Sequence, residues 1–244
     1  MSAPIHSTPK TAIVLAAGLG ARMRPLTDRR PKALVEVMGR PLIDYALDRL
    51  AAADISTAVV NLHHFADQLE AHLASRTRPK VIFSDEREQL LSTGGGVAKA
   101  LSQLEAAPFF LLNSDSLWLE GKTSNLARLG HAFDAGRMDA LLLLAPAATT
   151  IGYDGSGDYF MDAHCTLRRR LGAEIAPFIY AGAAILSPKL FEDASDGIFP
   201  LTPLFDRAQE KGRLFGLALE GQFLHVGTPE AVSAAEEAIR RARV

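Results

Sequence analysis

The sequence predicts an α/β fold: a Rossmann-like three-layer sandwich around a mostly parallel, mixed central sheet. Three observations carry that expectation. Compact apolar runs such as Thr11–Ala16 end in glycine or polar residues, as strands buried on both faces of a parallel sheet do. These runs alternate with amphipathic stretches at helical spacing as far as about residue 140, which calls for a doubly wound sheet with helices on both faces. Beyond Gly152 the pattern changes to glycine-rich turns and strand-like runs that extend the same sheet.

Each element has its own signal. After the first strand, Leu42, Ile43, Ala46, Leu47 and Leu50 recur at helical spacing across Pro41–Ala53, with Pro41 suited to a helix start. Thr57–Leu62 reads as a strand, Phe65–Ala74 as a helix, Lys80–Ser84 as a strand and Gly96–Leu104 as a helix. Pro108–Asn113 is a strongly apolar strand that runs into Ser114–Asp115, Leu126–Ala135 is helical, and Ala140–Ala145 is a further strand. Asp158–Asp162 and Pro177–Ser187 are the added strands. In Glu230–Arg243, residues Ala231, Val232, Ala235, Ala238, Ile239 and Ala242 share one helical face. With no low-complexity linker and no internal repeat, one domain spans residues 1–244. It divides into parts of about 11–145 and about 146–228, followed by a C-terminal helix 229–243.

Composition narrows the function classes. The 244 residues are 48% hydrophobic and 22% charged with net charge −2, so the chain lacks the basic excess of a nucleic-acid binder. Short arginine clusters, Arg168–Arg170 and Arg240, Arg241 and Arg243, read as solvated faces. The single cysteine, Cys165, excludes an internal disulfide and a cysteine-based zinc cluster, and it reads as a small packed side chain. The N-terminal MSAPIHSTPK has no apolar core of a signal peptide, and the longest apolar stretch, Ala140–Ala148, falls far below the ~20 residues of a membrane span. A cytoplasmic protein with no membrane or nucleic-acid partner is expected. The oligomeric state is not readable from one sequence.

The most informative stretch follows the first strand, from Leu15 through Ala16, Ala17, Gly18, Gly20, Arg22 and Arg24 to Thr27. Closely spaced glycines permit positive φ and close backbone approach, and successive N–H groups in such a loop form a concave anion site. Met23 stands where a dinucleotide fingerprint needs its third small residue, and a Walker loop's Gly-Lys-Ser/Thr is absent. Gly18 and Gly20 alone fit either a structural turn or a phosphate site. The Arg-x-Arg-Pro-Leu-Thr continuation favours the phosphate site.

The run LAAGLGARMRPLT, followed by Pro31-Lys32 and reaching Pro41, resembles the paired signature of the sugar nucleotidyltransferases. Ser92-Thr93-Gly94-Gly95-Gly96 resembles that family's nucleobase-facing loop, Asn113-Ser114-Asp115 its metal aspartate, and His225-Val226-Gly227-Thr228-Pro229 its late metal-site motif. The resemblance covers residues 11 to about 240. It is strongest to the short bacterial enzymes of cell-wall recycling that make a UDP-sugar from N-acetylmuramate α-1-phosphate; heptose- and mannose-1-phosphate guanylyltransferases come next.

The resemblance implies the nucleotide-diphospho-sugar transferase type of fold, with about 11–145 as its nucleotide-binding part and about 146–228 as its sugar-binding part. It also implies a reaction between a nucleoside triphosphate and a sugar-1-phosphate that releases pyrophosphate. Arg22 would meet the β- and γ-phosphates, Lys32 the phosphates at the reacting centre, and Ala16, Ala17, Gly18 and Gly20 the nucleotide. Thr93, Gly94 and Gly95 would lie against the base, and Asn113 would support Asp115, which would hold Mg²⁺, with Mn²⁺ as the alternative ion. Tyr180 and Gly182 would border the sugar, with Asp158 as a further candidate for a sugar hydroxyl.

The sequence departs from the family pattern at His225, where most relatives carry a second metal-binding aspartate. Imidazole suits Mg²⁺ poorly. Three readings stay open: Asp115, phosphates and water hold the metal alone; His225 meets a phosphate or a softer ion; or the chain is a regulatory subunit that binds nucleotide without turnover. The cation that would clamp the sugar phosphate has no clear counterpart, only Arg168–Arg170. After the last helix there is no room for the β-helical extension of longer relatives, so a stand-alone transferase is expected.

Overall fold

A computed structural model describes residues 8–194 and 196–242; the N-terminal residues 1–7 and Arg243, both discussed above, lie outside the described residues. In chain order the elements are β1 (Thr11–Leu15), β2 (Glu36–Val37), β3 (Arg40–Pro41), α1 (Leu42–Ala52), β4 (Thr57–Leu62), α2 (Ala66–Leu73) and β5 (Lys80–Asp85). Next come α3 (Ser92–Leu101), β6 (Phe109–Asn113), β7 (Ser116–Glu120), α4 (Asn125–Ala132) and β8 (Ala140–Pro146). The remainder is β9 (Tyr159–Met161), β10 (Leu167–Arg169), β11 (Phe178–Leu186), α5 (Thr202–Glu210), β12 (Leu214–Ala218), β13 (Gly221–His225) and α6 (Pro229–Ala242).

The apolar runs do form the parallel core of one sheet. β6, β1, β4 and β5 lie side by side and parallel. β11 then runs antiparallel between β6 and β8, and β12 joins β8 in parallel. The sheet is therefore mixed but mostly parallel. Strand alternation divides its burial between two layers. Ala12 and Val14 point into a core with Leu47, Leu69 and Leu126, from α1, α2 and α4. Ile13 points the other way, into a core with Val97 and Leu204, from α3 and α5. A third core joins Met23 to the β7–β13 ribbon and to Ala235 and Ile239 of α6.

Several expectations shift. The helix expected from Gly96 starts at Ser92, so Gly94 and Gly95 form its first turn and not a loop. Glycine costs a helix about 1 kcal/mol per residue, whereas burying Val97 and its neighbours returns about 1.5–3 kcal/mol per large side chain. Packing decides, because the amides of Gly94 and Gly95 donate to the Phe199 carbonyl at 2.8 and 3.0 Å, an approach that side chains would block. Cys165 is not packed. It is exposed, at φ +63° between β9 and β10. β7, β12, β13 and α5 were not legible as separate elements. β11 carries a bulge between Tyr180 and Ala184, where Gly182 adopts φ +69°.

A Cβ at Gly95 meets the Gly197 backbone and Leu91, whereas one at Gly18 meets nothing within 4 Å. Gly95→Ala is therefore expected to destabilise the fold by about 1–3 kcal/mol, and Gly18→Ala by much less. Thermal unfolding of the two variants checks this; equal melting temperatures would contradict the packing at α3.

Candidate active site

The parallel strands open at their carboxyl ends onto a cleft of about 430 Å³, the edge at which open α/β sheets take ligands. Ala16, Ala17, Gly18, Gly20 and Arg22 line one wall. Gly20 takes φ +63° and its carbonyl accepts from Met23 N (2.8 Å) and Thr27 Oγ1 (2.9 Å), which turns the chain into a short 3₁₀ segment over Ala21–Met23. Met23 is fully buried in the third core, so this position anchors the loop. Arg22 stays exposed at the cleft.

The support beneath the loop escaped the sequence reading. Asn61, 2% exposed at the end of β4, accepts from Ala16 N at 2.6 Å and Ala17 N at 3.1 Å. Its Nδ2 donates to Glu86 Oε1 at 2.7 Å, and Glu86 Oε2 accepts from Leu91 N at 3.0 Å. Leu90, Ser92 and Thr93 continue the cleft wall from there. The glycines behind Thr93 do not. Gly94 and Gly95 are buried, and side chains there would meet Phe199 and the Gly197 backbone. The available signal for Asn61 was a polar residue inside an apolar parallel strand.

Elsewhere in the cleft, Lys32 Nζ donates to Asp115 Oδ2, with both side chains half-buried. Asn113 and Asp115 flank the turn from β6 to β7, and Ser114 N donates to Leu15 O at 3.0 Å, which fixes that turn against β1. His225 ends β13, opposite Ser116, and packs edge-on against Tyr153 at 5.7 Å. Burial lowers its pKa from the ordinary value, the Asp115 carboxylate opposes that shift, and Lys32 and Arg22 add to it. The imidazole is therefore neutral at pH 7. Among the described residues no three His, Cys, Asp or Glu side chains converge as a metal cluster. The donor set fits a hard cation only in the form that takes one carboxylate, with phosphate oxygens and water completing the shell.

The candidates for the sugar divide between two places. Asp158 and Tyr180 come together in a neighbouring cleft of about 270 Å³, where Asp158 Oδ2 accepts from Tyr180 N at 2.9 Å. The Tyr180 hydroxyl is buried there without a partner, and burial pushes its pKa up, so it remains a phenol. Gly182 sits apart, beneath Asn113 and Ser116, where a side chain would collide with both. Of the three arginines, Arg168 is held by Glu174 at 2.8 Å and Arg169 by both oxygens of Asp206 at 2.6 and 2.7 Å. Arg170 lines the cleft, with Nε donating to Gly157 O at 2.9 Å.

Residues 12–176 match the model of the MobA-like NTP transferase domain. The chain belongs to this family. It is 48% identical over 242 residues to the N-acetylmuramate alpha-1-phosphate uridylyltransferase of Caulobacter vibrioides, covering 98% of this chain and all of the relative. A protein of the same name from Neisseria meningitidis serogroup B is 30% identical over 220 residues, 89% of this chain and 93% of the relative. In three dimensions the NTP transferase chain superposes on a putative glucose-1-phosphate thymidylyltransferase from Bacillus anthracis with TM-score 0.78. That match has 16% identity and covers 94% of this chain and 95% of the other, a likeness of fold. No helix among the described residues is long and apolar enough to cross a membrane.

The lowered pKa of His225 couples folding to acid. As pH falls below 6.5 the unfolded imidazole takes up a proton before the folded one, so folding stability declines between the unfolded and folded pKa values and is unaffected above 6.5. His225→Gln is expected to remove that part of the acid slope. Parallel urea titrations at about pH 7 and about pH 5.5 read it, and an unchanged slope would contradict the burial of a neutral imidazole.

Proposed function

We propose that this chain transfers a uridylyl group from UTP to N-acetylmuramate α-1-phosphate and releases pyrophosphate. The observation that carries the reading is 48% identity across nearly the whole chain to the Caulobacter relative of that name. The site geometry supports it. The glycine-containing loop after β1, Arg22 and the Lys32–Asp115 pair line one cleft, an arrangement suited to a triphosphate laid along the sheet edge. The proposal treats the described residues as one transferase unit, because β11, from the expected sugar-binding part, is hydrogen-bonded directly to β6 of the nucleotide part. It includes a cytoplasmic setting and a role in cell-wall recycling.

In the proposed reaction a phosphate oxygen of the sugar phosphate attacks the α-phosphorus in line. A new O–P bond forms as the bond to pyrophosphate breaks. Both reactants are anions, so catalysis rests on positioning and on neutralising charge. Arg22 meets the distal phosphates, and Lys32 moves from Asp115 toward the phosphate oxygens where charge develops. Asp115 would hold Mg²⁺, which would supply charge stabilisation at the bridging oxygens. His225, as a neutral imidazole, offers a hydrogen bond to a phosphate and not a ligand to Mg²⁺. In the neighbouring cleft, Asp158, Tyr180 and Arg170 would face the sugar.

The test is pyrophosphate release with UTP, GTP, CTP, ATP and dTTP, each paired with a panel of sugar-1-phosphates that includes N-acetylmuramate α-1-phosphate, with Mg²⁺ or Mn²⁺. Turnover is expected to be highest with UTP and that sugar. A higher rate with GTP and mannose- or heptose-1-phosphate would overturn the substrate assignment, and nucleotide binding without release from any pair would favour the regulatory reading. Asp115→Asn is expected to lower kcat by about 100-fold or more with the fold retained. Near-normal turnover in that variant would remove Asp115 from the reacting centre.

A further inference from the structure

The two halves of the nucleotide cleft are joined by one buried chain of hydrogen bonds in which the direction of every bond is fixed. Backbone N–H groups of Ala16 and Ala17 can only donate, so Asn61 must present Oδ1 to them. Its other atom, Nδ2, then faces Glu86 and donates to Oε1 at 2.7 Å. The second oxygen of Glu86 accepts from Leu91 N at 3.0 Å, at the start of the wall formed by Leu90, Ser92 and Thr93. The Glu86 backbone carbonyl meets His63 Nδ1 at 2.7 Å, which holds the same segment to the end of β4. Gly96 seals the pair. A Cβ there would lie 2.8 Å from Glu86 Oε1 and 2.9 Å from Asn61 Nδ2, so a glycine is what lets the α3 backbone close over them.

Glu86 is only 1% exposed although it stands in the charged run Asp85-Glu86-Arg87-Glu88. Its neighbours in that run behave as surface residues: Arg87 pairs with Asp85, Asp67 and Glu70 on the outside. Burying a carboxylate is costly unless its oxygens are satisfied. Here the same satisfied oxygens bridge the phosphate loop to the opposite wall of the cleft.

We propose that Glu86 is a positioning residue for nucleotide binding. By accepting on both oxygens it sets the orientation of the Asn61 amide, and through Asn61 and Leu91 it fixes the distance between the phosphate loop and the wall at Leu90–Thr93. The inference rests on the proposed function in taking this cleft as the nucleotide site, and it goes beyond it in assigning a role to a residue that touches no substrate.

The chemistry allows a test at constant shape. Glu86→Gln keeps size and packing but replaces one acceptor with a donor, which must then face either Asn61 Nδ2 or Leu91 N. Asn61→Asp replaces the donor toward Glu86 with a second acceptor. In the double variant, Asn61→Asp with Glu86→Gln, the polarity matches again. The new carboxylate at position 61 accepts from Ala16 N, Ala17 N and the new side-chain amide at position 86, whose oxygen still accepts from Leu91 N. Calorimetric binding of UTP, GTP, CTP, ATP and dTTP, with UTP kinetics alongside, reads the outcome. Each single variant is expected to weaken the preferred nucleotide by about tenfold or more and to raise its KM with kcat nearly unchanged. The double variant is expected to bind more tightly than either single one.

A role confined to folding would lower the melting temperature and leave KM alone, and that result would overturn the inference. So would losses that simply add in the double variant. A wild-type chain that binds none of the five nucleotides would overturn the proposed function and this inference together, whereas normal wild-type binding with unperturbed single variants would overturn the inference alone.

Discussion

The geometry of the site depends on the parallel register of three strands. β1 stands between β4 and β6, with Val14 opposite Val60 and Leu15 opposite Asn113. That register brings the residues that leave each strand, Ala16 and Ala17, Asn61, and Ser114 and Asp115, to the same level at one edge of the sheet. Parallel strands all end on the same side, so the carboxyl edge gathers backbone amides from one loop and a carboxylate from another without any long-range search. A shift of one residue in β1 would turn Ile13 toward the wrong layer and carry the loop away from Asn61. The apolar residues of the strands thus specify the site's geometry before any polar side chain acts.

How much of this was legible in the sequence depends on whether a residue announces itself by type or by neighbourhood. The parallel strands did so by their unbroken apolar runs, Lys32 by its place in the motif linked to the loop after β1, and Asp115 by following the run Pro108–Asn113. Asn61 and Glu86 did not. An asparagine near the end of a strand reads as a boundary, and a glutamate inside Asp-Glu-Arg-Glu reads as a solvated face. Only the fold reveals that one member of that run turns inward while Arg87 gathers its neighbours outside. The glycine triplet misled for a related reason. Glycine marks places where backbone must come close, and at Gly94 and Gly95 the chain's own Phe199 segment is such a partner, which lets the helix begin at Ser92 and not at Gly96.

The polar pairs at the site differ in their freedom. Asn61 and Glu86 are sealed in and every partner is a fixed backbone group or the other member, which suits a scaffold. Lys32 and Asp115 are partly open to the cleft, with side chains 16% and 29% exposed, and in the proposed reaction each would exchange its partner for a phosphate oxygen or a cation. Rigidity thus sits behind the cleft wall and adaptability in front of it, as a site that must position one group and follow changing charge on another requires.

Met23 ties the phosphate loop to a core completed by the β7–β13 ribbon and α6. The partners that pin the loop, Leu224, Ala235 and Ile239, follow every strand of the central sheet in chain order. The sheet edge can therefore assemble from β1, β4 and β6 while the loop after β1 still lacks its support. Order at that loop is completed only when the β7–β13 ribbon and α6 dock, so the edge and its first loop mature at different stages of folding.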